Sequence, residues 1–316
     1  MHKFFQGVIS FSFCIVTVCF TGVTEAYAHT KADNDIQDLW DAIQQQAPQA
    51  LADWLKFYDI PASPSSFGAP TKTRIENRYL GSFDAAEFDI RNFAVSPDLK
   101  KGLTYDGYFF DLSEIAEDEI GSDDSHDIVL YDFVDSSIRR VHFKGLAQST
   151  NDLFWLDDHR FVLLGAENTG QGYEWVPYIQ VSDLADSSRY TYSYNGKVTE
   201  KKPVDYLLQR LRKMQESAPL SFSGFFEGNE PFWSLEVKNN RFTLRCMNDV
   251  ETGVILLSKK QTHSETYAFR GTNFFGIIRK PWEGCCELDI TEEEHPTHEI
   301  YFSYQNETYM GCGGFR

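Results

Sequence analysis

Asp132-Phe-Val-Asp-Ser-Ser137 recurs 51 residues later as Asp183-Leu-Ala-Asp-Ser-Ser188. The first copy lies between Ile128-Val-Leu-Tyr131 and Arg140-Val-His-Phe143, the second between Tyr178-Ile-Gln-Val181 and Tyr190-Thr-Tyr-Ser-Tyr194. Val, Ile, Tyr and Phe suit a pleated, half-buried surface. Asp and Ser bond their own backbone and favour tight turns. Each copy therefore reads as strand, turn, strand. Upstream, Val95-Ser-Pro-Asp-Leu-Lys-Lys-Gly-Leu-Thr104 and Trp155-Leu-Asp-Asp-His-Arg-Phe-Val-Leu-Leu164 share a second form, again a strand, an acidic turn and a strand.

These paired units resemble two blades of a β-propeller, whose repeats of about 40–50 residues carry antiparallel strands. Two blades cannot close a ring. Residues 71–200 are thus expected to form an open or incomplete propeller-like antiparallel sheet domain. Before it, residues 29–70 hold a helical segment and a loop. Ile36, Leu39, Trp40, Ile43 and Ala47 recur at helical spacing, and Leu51, Trp54, Leu55 and Tyr58 form a second stripe after Pro48. After it, residues 201–219 read as a linker helix with Val204, Leu207, Leu208 and Leu211 as its apolar face. Residues 220–316 are strand-rich again. The fold class is mainly β with a helical N-terminus and a small C-terminal antiparallel β domain.

Composition narrows the function. The formal net charge of -18 repels phosphate backbones, so nucleic-acid binding is not expected. Hydrophobic residues at 42% suffice for a core, which excludes wholesale disorder. Residues 1–28 read as a signal peptide: Lys3, an apolar run from Val8 to Phe20, and the small-residue pattern Ala26-Tyr-Ala28 before the cut. That run is too short to cross a bilayer. Phe13 before Cys14 and Val18 before Cys19 do not fit lipidation. The mature chain is expected in the periplasm or outside the cell, with no integral membrane segment. Its cysteines, Cys246, Cys285, Cys286 and Cys312, then read as two disulfides with three connectivities. Adjacent Cys285 and Cys286 rarely bond each other.

The C-terminal segment contains Gly228-Asn-Glu230-Pro231-Phe232-Trp233-Ser-Leu-Glu-Val237. This resembles the Gly-[Thr/Asn]-Glu-Pro-Phe-Trp signature of a family of small bacterial envelope proteins and lipoproteins, similar in architecture to META-type β domains. Counting from Cys286, Ile290, Thr291, Glu292 and His295 stand where the family has Met, Ser, Asp and Tyr. Pro296 and Gly311-Cys312 match its Pro and its closing Gly-Cys pair. The resemblance implies a compact antiparallel β domain and a Cys286–Cys312 bridge. Cys246 and Cys285 are extra to the pattern and are candidates for a second bridge. Independently of the family, Pro231 fixes the start of a strand, and Phe232 and Trp233 point to opposite faces.

Other candidates read more plainly. Glu292-Glu-Glu-His295-Pro-Thr-His298-Glu299 has a metal-like look, yet Pro296 opposes helix and an extended strand turns the two histidines apart. Asp111 to Asp127 reads as a solvated acidic loop, and Asp157-Asp158-His159 as a hairpin turn. No Gly-x-Ser-x-Gly elbow or phosphate-binding loop occurs, and no cofactor is implied. The expectation is an exported, non-catalytic binding or structural protein whose partner is an envelope component. The alternatives are a secreted hydrolase with a site on the sheet domain near the acidic loop, or a periplasmic metal-binding protein using His295 and His298.

Overall fold

The computed structural model describes residues 36–83, 90, 93–106, 125–145, 147–170, 174–199, 201, 203, 205, 206, 209, 210, 220–229, 231–247, 249–258, 265–281 and 296–316. Residues 1–28, where a signal peptide is expected, most of the acidic stretch, Glu230, Cys285, Cys286 and His295 lie outside them.

The chain is mainly β, with three antiparallel sheets and two N-terminal helices, α1 (Ile36–Gln46) and α2 (Pro48–Phe57). Two short strands follow, β1 (Thr71–Arg74) and β2 (Arg78–Ser82). The next eight form two meanders. β3 (Ala94–Val95), β4 (Lys101–Asp106), β5 (Ser125–Asp132) and β6 (Ser137–Gly145) make one; β7 (Gln148–Trp155), β8 (Arg160–Asn168), β9 (Trp175–Asp183) and β10 (Ser188–Ser193) make the other. Their sheets run β2-β6-β5-β4-β3 and β1-β10-β9-β8-β7, so the N-terminal strap adds one strand to the same edge of each.

The repeated sequence makes the same turn twice. Asp132 Oδ1 accepts the Val134 N–H at 2.9 Å and Asp135 Oδ1 the Ser137 N–H at 2.8 Å. In the second copy Asp183 accepts from Ala185 and Asp186 from Ser188, both at 2.8 Å. Ser136 and Ser187 both take left-handed backbone, with φ of 58° and 57°.

The two sheets pack face to face, as neighbouring blades do. Leu103, Ile128, Leu130 and Val141 of one meet Leu153, Trp155, Phe161 and Leu163 of the other, and Ile75 of the strap is buried between them. Polar ties cross between the sheets: Trp155 Nε1 donates to Ala94 O at 2.7 Å, Arg189 Nη2 to Val141 O at 2.6 Å, and Lys101 Nζ to Asp158 O at 3.2 Å. The outer face of the β7–β10 sheet is covered by the helices, where Trp40, Ile43, Leu51, Trp54 and Leu55 pack on Val162, Leu164, Ile179 and Tyr192. β8 is therefore buried on both sides, which is why Phe161-Val-Leu-Leu164 is continuously apolar rather than alternating.

The 201–219 segment is more than a connector. Pro203, Asp205, Tyr206, Gln209 and Arg210 are helical. Tyr206 joins the helical core, and its hydroxyl donates to Ala50 O at 3.3 Å. Arg210 Nε stands 2.6 Å from Asp152, a fully buried carboxylate beside the β-bulge in β7. Neighbouring Asn151 accepts from Tyr58 at 2.8 Å and donates to Pro203 O at 2.9 Å.

The last nine strands are β11 (Gly224–Asn229), β12 (Phe232–Lys238), β13 (Arg241–Cys246), β14 (Asp249–Val254), β15 (Leu256–Leu257), β16 (Thr266–Arg270), β17 (Phe274–Arg279), β18 (His298–Tyr304) and β19 (Glu307–Phe315). They form one sheet, β14-β13-β12-β11-β19-β18-β17-β16-β15, rolled into a nearly closed barrel. Its terminal strands β14 and β15 are separated by Ile255 alone. Asn240, fully buried and at φ 62°, seals this base. Its amide accepts from Phe222 N at 3.1 Å and donates to Leu220 O at 2.9 Å and Ile255 O at 3.0 Å. Near the base, Val254 and Leu256 pack on Ile90, Phe93, Val95, Tyr131 and Phe133 beside the β3–β6 sheet. Arg241 donates to Phe133 O at 3.2 Å. Helices and two sheets thus stack in sequence, and the barrel base meets the β3–β6 sheet at one corner, through Val95, Tyr131 and Phe133.

Candidate functional site

The Gly228–Trp233 signature lies at the barrel end opposite Asn240. Alternation along β12 puts Trp233 inside, 4% exposed, and Phe232 outside, 66% exposed. Trp233 stands opposite Gly228 on β11 and Cys246 on β13. Its indole covers two glycines. A Cβ on Gly228 would lie 2.8 Å from Trp233 Cε2, and one on Gly311 of β19 would lie 2.6 Å from Cζ2. Any side chain at either position would collide with the ring. The opening motif and the closing Gly-Cys pair are thus parts of one packing unit. Trp233 also meets Phe302 edge-on at 4.8 Å, and Phe302 stacks on Tyr309 at 5.0 Å.

Above this aromatic layer the hairpins β11–β12, β13–β14, β16–β17 and β18–β19 turn at one end and form a mouth. Inner-face pairing brings three carboxylates there. Asp249 pairs with Cys246, Glu251 with Leu244 and Glu307 with Tyr304. No lysine or arginine forms an ion pair with them among the described residues. Glu251 Oε1 accepts from Asn273 Nδ2 at 2.7 Å, which ties β14 to the β16–β17 turn across the seam. The Tyr304 hydroxyl, pushed up to about 12 by burial and by its bond to Glu251, receives Gln305 Nε2 at 2.9 Å. Tyr309 donates to Glu307 at 3.1 Å. A cleft of about 360 Å³ opens between these hairpins, lined by Glu251, Asn273, Phe275, Ser303, Tyr304, Gln305 and Asn306. Gln305 and Asn306 both take positive φ, 51° and 65°, the signature of a tight two-residue hairpin.

The sequence-predicted residues divide around this mouth. Gly228, Trp233 and Cys246 converge near it. Cys246 does not form the expected second bridge: it is a free, buried thiol. Its inward place on β13, between Trp233 and Asp249, explains this. Burial, then Asp249, Glu251 and Glu307, raise its pKa to about 11, so it stays protonated. Cys312 is disulfide-bonded. His298 lies away from the mouth, toward the base. Its Nδ1 shares a 2.8 Å bond with Thr297 Oγ1, its ring rests on Phe315 at 4.7 Å, and burial lowers its pKa against the pull of Glu265. His295 lies outside the described residues, among which no group of three His, Cys, Asp or Glu side chains is placed to hold a metal. Asp157 serves its turn: Oδ1 accepts from His159 N and Arg160 N, and Oδ2 from Arg160 Nε at 2.7 Å. Among the described residues no helix is long and apolar enough to cross a membrane.

Sequence reasoning missed Glu251, Asn273, Ser303 and Tyr304 altogether. The paired turn residues Gln305-Asn306 were the one local signal available. No protein-family model, curated protein or solved structure matches the chain.

Proposed function

We propose that this is an exported, non-catalytic binding module of the cell envelope, with the barrel as its recognition domain. One observation carries the reading. At the rim of the barrel mouth lies a polar recess of about 360 Å³, on the same barrel whose interior packs around the Trp233 of the envelope-protein signature. The recess offers hydrogen-bonding groups and a carboxylate. The nearby thiol is held protonated and is a poor nucleophile, which favours recognition over covalent chemistry. The leader at residues 1–28 supports export, and an oxidising compartment agrees with the bridged Cys312, for which we propose Cys286 as partner.

Cells producing the full chain test this. Recovered protein should begin at His29 and should fractionate with the periplasm or envelope. A photo-crosslinker in place of Asn306 at the mouth should capture an envelope component, whereas one in place of Val134, an exposed residue of the first repeat turn, should not. An uncleaved chain in the cytoplasm, or equal capture at both positions, would refute the proposal. Non-reduced peptide mapping checks the Cys286–Cys312 pair.

A further inference from the structure

We propose that the cleft at the barrel mouth takes the ammonium group of an organic amine; this rests on reading the barrel as a binding module and names its ligand class. Among the described residues, Glu251 is the only charged group lining the cleft. Asn273 and Tyr304 hold it from two hairpins, so its carboxylate is fixed before any ligand arrives. A carboxylate offers about four lone-pair sites, and these two bonds leave acceptor capacity on Glu251. Ser303 adds a hydroxyl within reach of the same recess. An ammonium group brings three donors and one positive charge, which matches a rigid carboxylate surrounded by acceptors.

Size and shape point the same way. The cleft can hold more than a bare ion, and among the described residues no three acids or histidines group closely enough to chelate a metal. Phe275, 66% exposed, stands as one wall and presents a ring to a cation or to the apolar part of an amine. Asp249 and Glu307 at the same mouth add a field of matching sign, and the net charge of -18 draws cations from a distance.

Calorimetric titration of the full chain with benzylammonium, and with benzyl alcohol as its neutral isostere, tests the inference. The amine should bind at least about tenfold more tightly than the alcohol, and added salt should weaken the amine alone. Glu251→Gln should abolish the preference, while Phe275→Ala, at an exposed position, should weaken both probes. Melting curves verify that each variant is folded. If Glu251→Gln does not fold, the salt dependence of the wild type decides. Equal binding of both probes would overturn the ammonium assignment while leaving a binding cleft. Heat from neither probe would overturn it too, and capture at Asn306 would still judge the module independently.

Discussion

The two-sheet stack and the barrel use the same antiparallel hairpins but close themselves differently. In the stack, the two sheets hide their inner faces against each other, the helices cover the outer face of the β7–β10 sheet, and the barrel base meets the β3–β6 sheet at one corner. Two of the polar groups caught inside are bound to structural partners: Asp152 to Arg210, and Asn151 to Tyr58 and the Pro203 carbonyl. The barrel hides one face by curling on itself, which leaves two ends. Asn240 plugs one. The other keeps Asp249, Glu251 and Glu307 above an aromatic floor. An open face must be covered or it aggregates, whereas an open end can stay polar and wet. That difference is the physical ground for proposing recognition in the barrel and scaffolding in the stack.

The sharpest way to break this comparison is to remove Trp233. Trp233→Ala should cost about 3–5 kcal/mol, and Gly311→Val should be of similar severity because the added atoms meet the indole. Hydrogen exchange should show protection lost across β11–β13 and β19 while β7–β10 keep theirs. Equal loss in both regions would mean that stack and barrel are one cooperative unit.

In the stack, the matching experiment is Arg210→Met. It leaves Asp152 buried without its cation, and breaking a buried pair typically costs about 3–5 kcal/mol. Burial already raises the Asp152 pKa against the pull of Arg210. Without the guanidinium it rises further. A raised carboxyl pKa means that the folded state holds its proton more tightly, so the deficit of the variant should shrink as pH falls. Denaturant titrations at pH 7 and pH 5 check this. A deficit that grows on acidification would show that Arg210 is not the counter-charge.

These experiments also mark what sequence could and could not reveal. The repeat turns were readable because an Asp that bonds the N–H two residues on is a local device, complete within six residues. The opposite faces of Phe232 and Trp233 follow from strand alternation alone. The pairing of Trp233 with Gly311 does not, since it depends on β19 lying beside β11 across most of the domain. The cleft is harder still. Glu251, Asn273 and Tyr304 come from three hairpins, and nothing local marks any of them. The docking of Tyr206 and Arg210 was hidden because a helix with an apolar stripe reads as a linker until its partner surface is known. Cys246 misled for the same reason: its inward direction on β13, not its compartment, decides that it stays a thiol.

That thiol gives a subtler test of the barrel's interior. A folded pKa near 11, against an ordinary 9.0, means that the folded state keeps a proton the unfolded chain releases. The associated stability is present below pH 9 and is lost as pH climbs from 9 through 11. Cys246→Ala should therefore flatten the alkaline decline in melting temperature. Native protein at pH 8 should also resist thiol reagents until denatured. Rapid labelling of the folded chain would contradict the buried placement.

The smallest expected effect addresses the two copies of the repeat. Ser136 and Ser187 both hold left-handed backbone, which disfavours a residue with a Cβ by about 1–2 kcal/mol. Glycine removes that penalty but raises the conformational entropy of the unfolded chain by about 0.4–1 kcal/mol. Ser136→Gly and Ser187→Gly should each stabilise by up to about 1 kcal/mol, the small remainder of these terms. The informative quantity is the difference between them. The flanking aspartates make the same bonds in both turns, so the two gains should agree although the β9–β10 hairpin is far more buried than the β5–β6 hairpin. Agreement within about 0.3 kcal/mol, the usual limit for independent sites, would show that the turn is a self-contained unit that each sheet receives ready-made. A clear disparity would mean that the helices over the second sheet, rather than the Asp-x-x-Asp-Ser-Ser sequence, impose the geometry there.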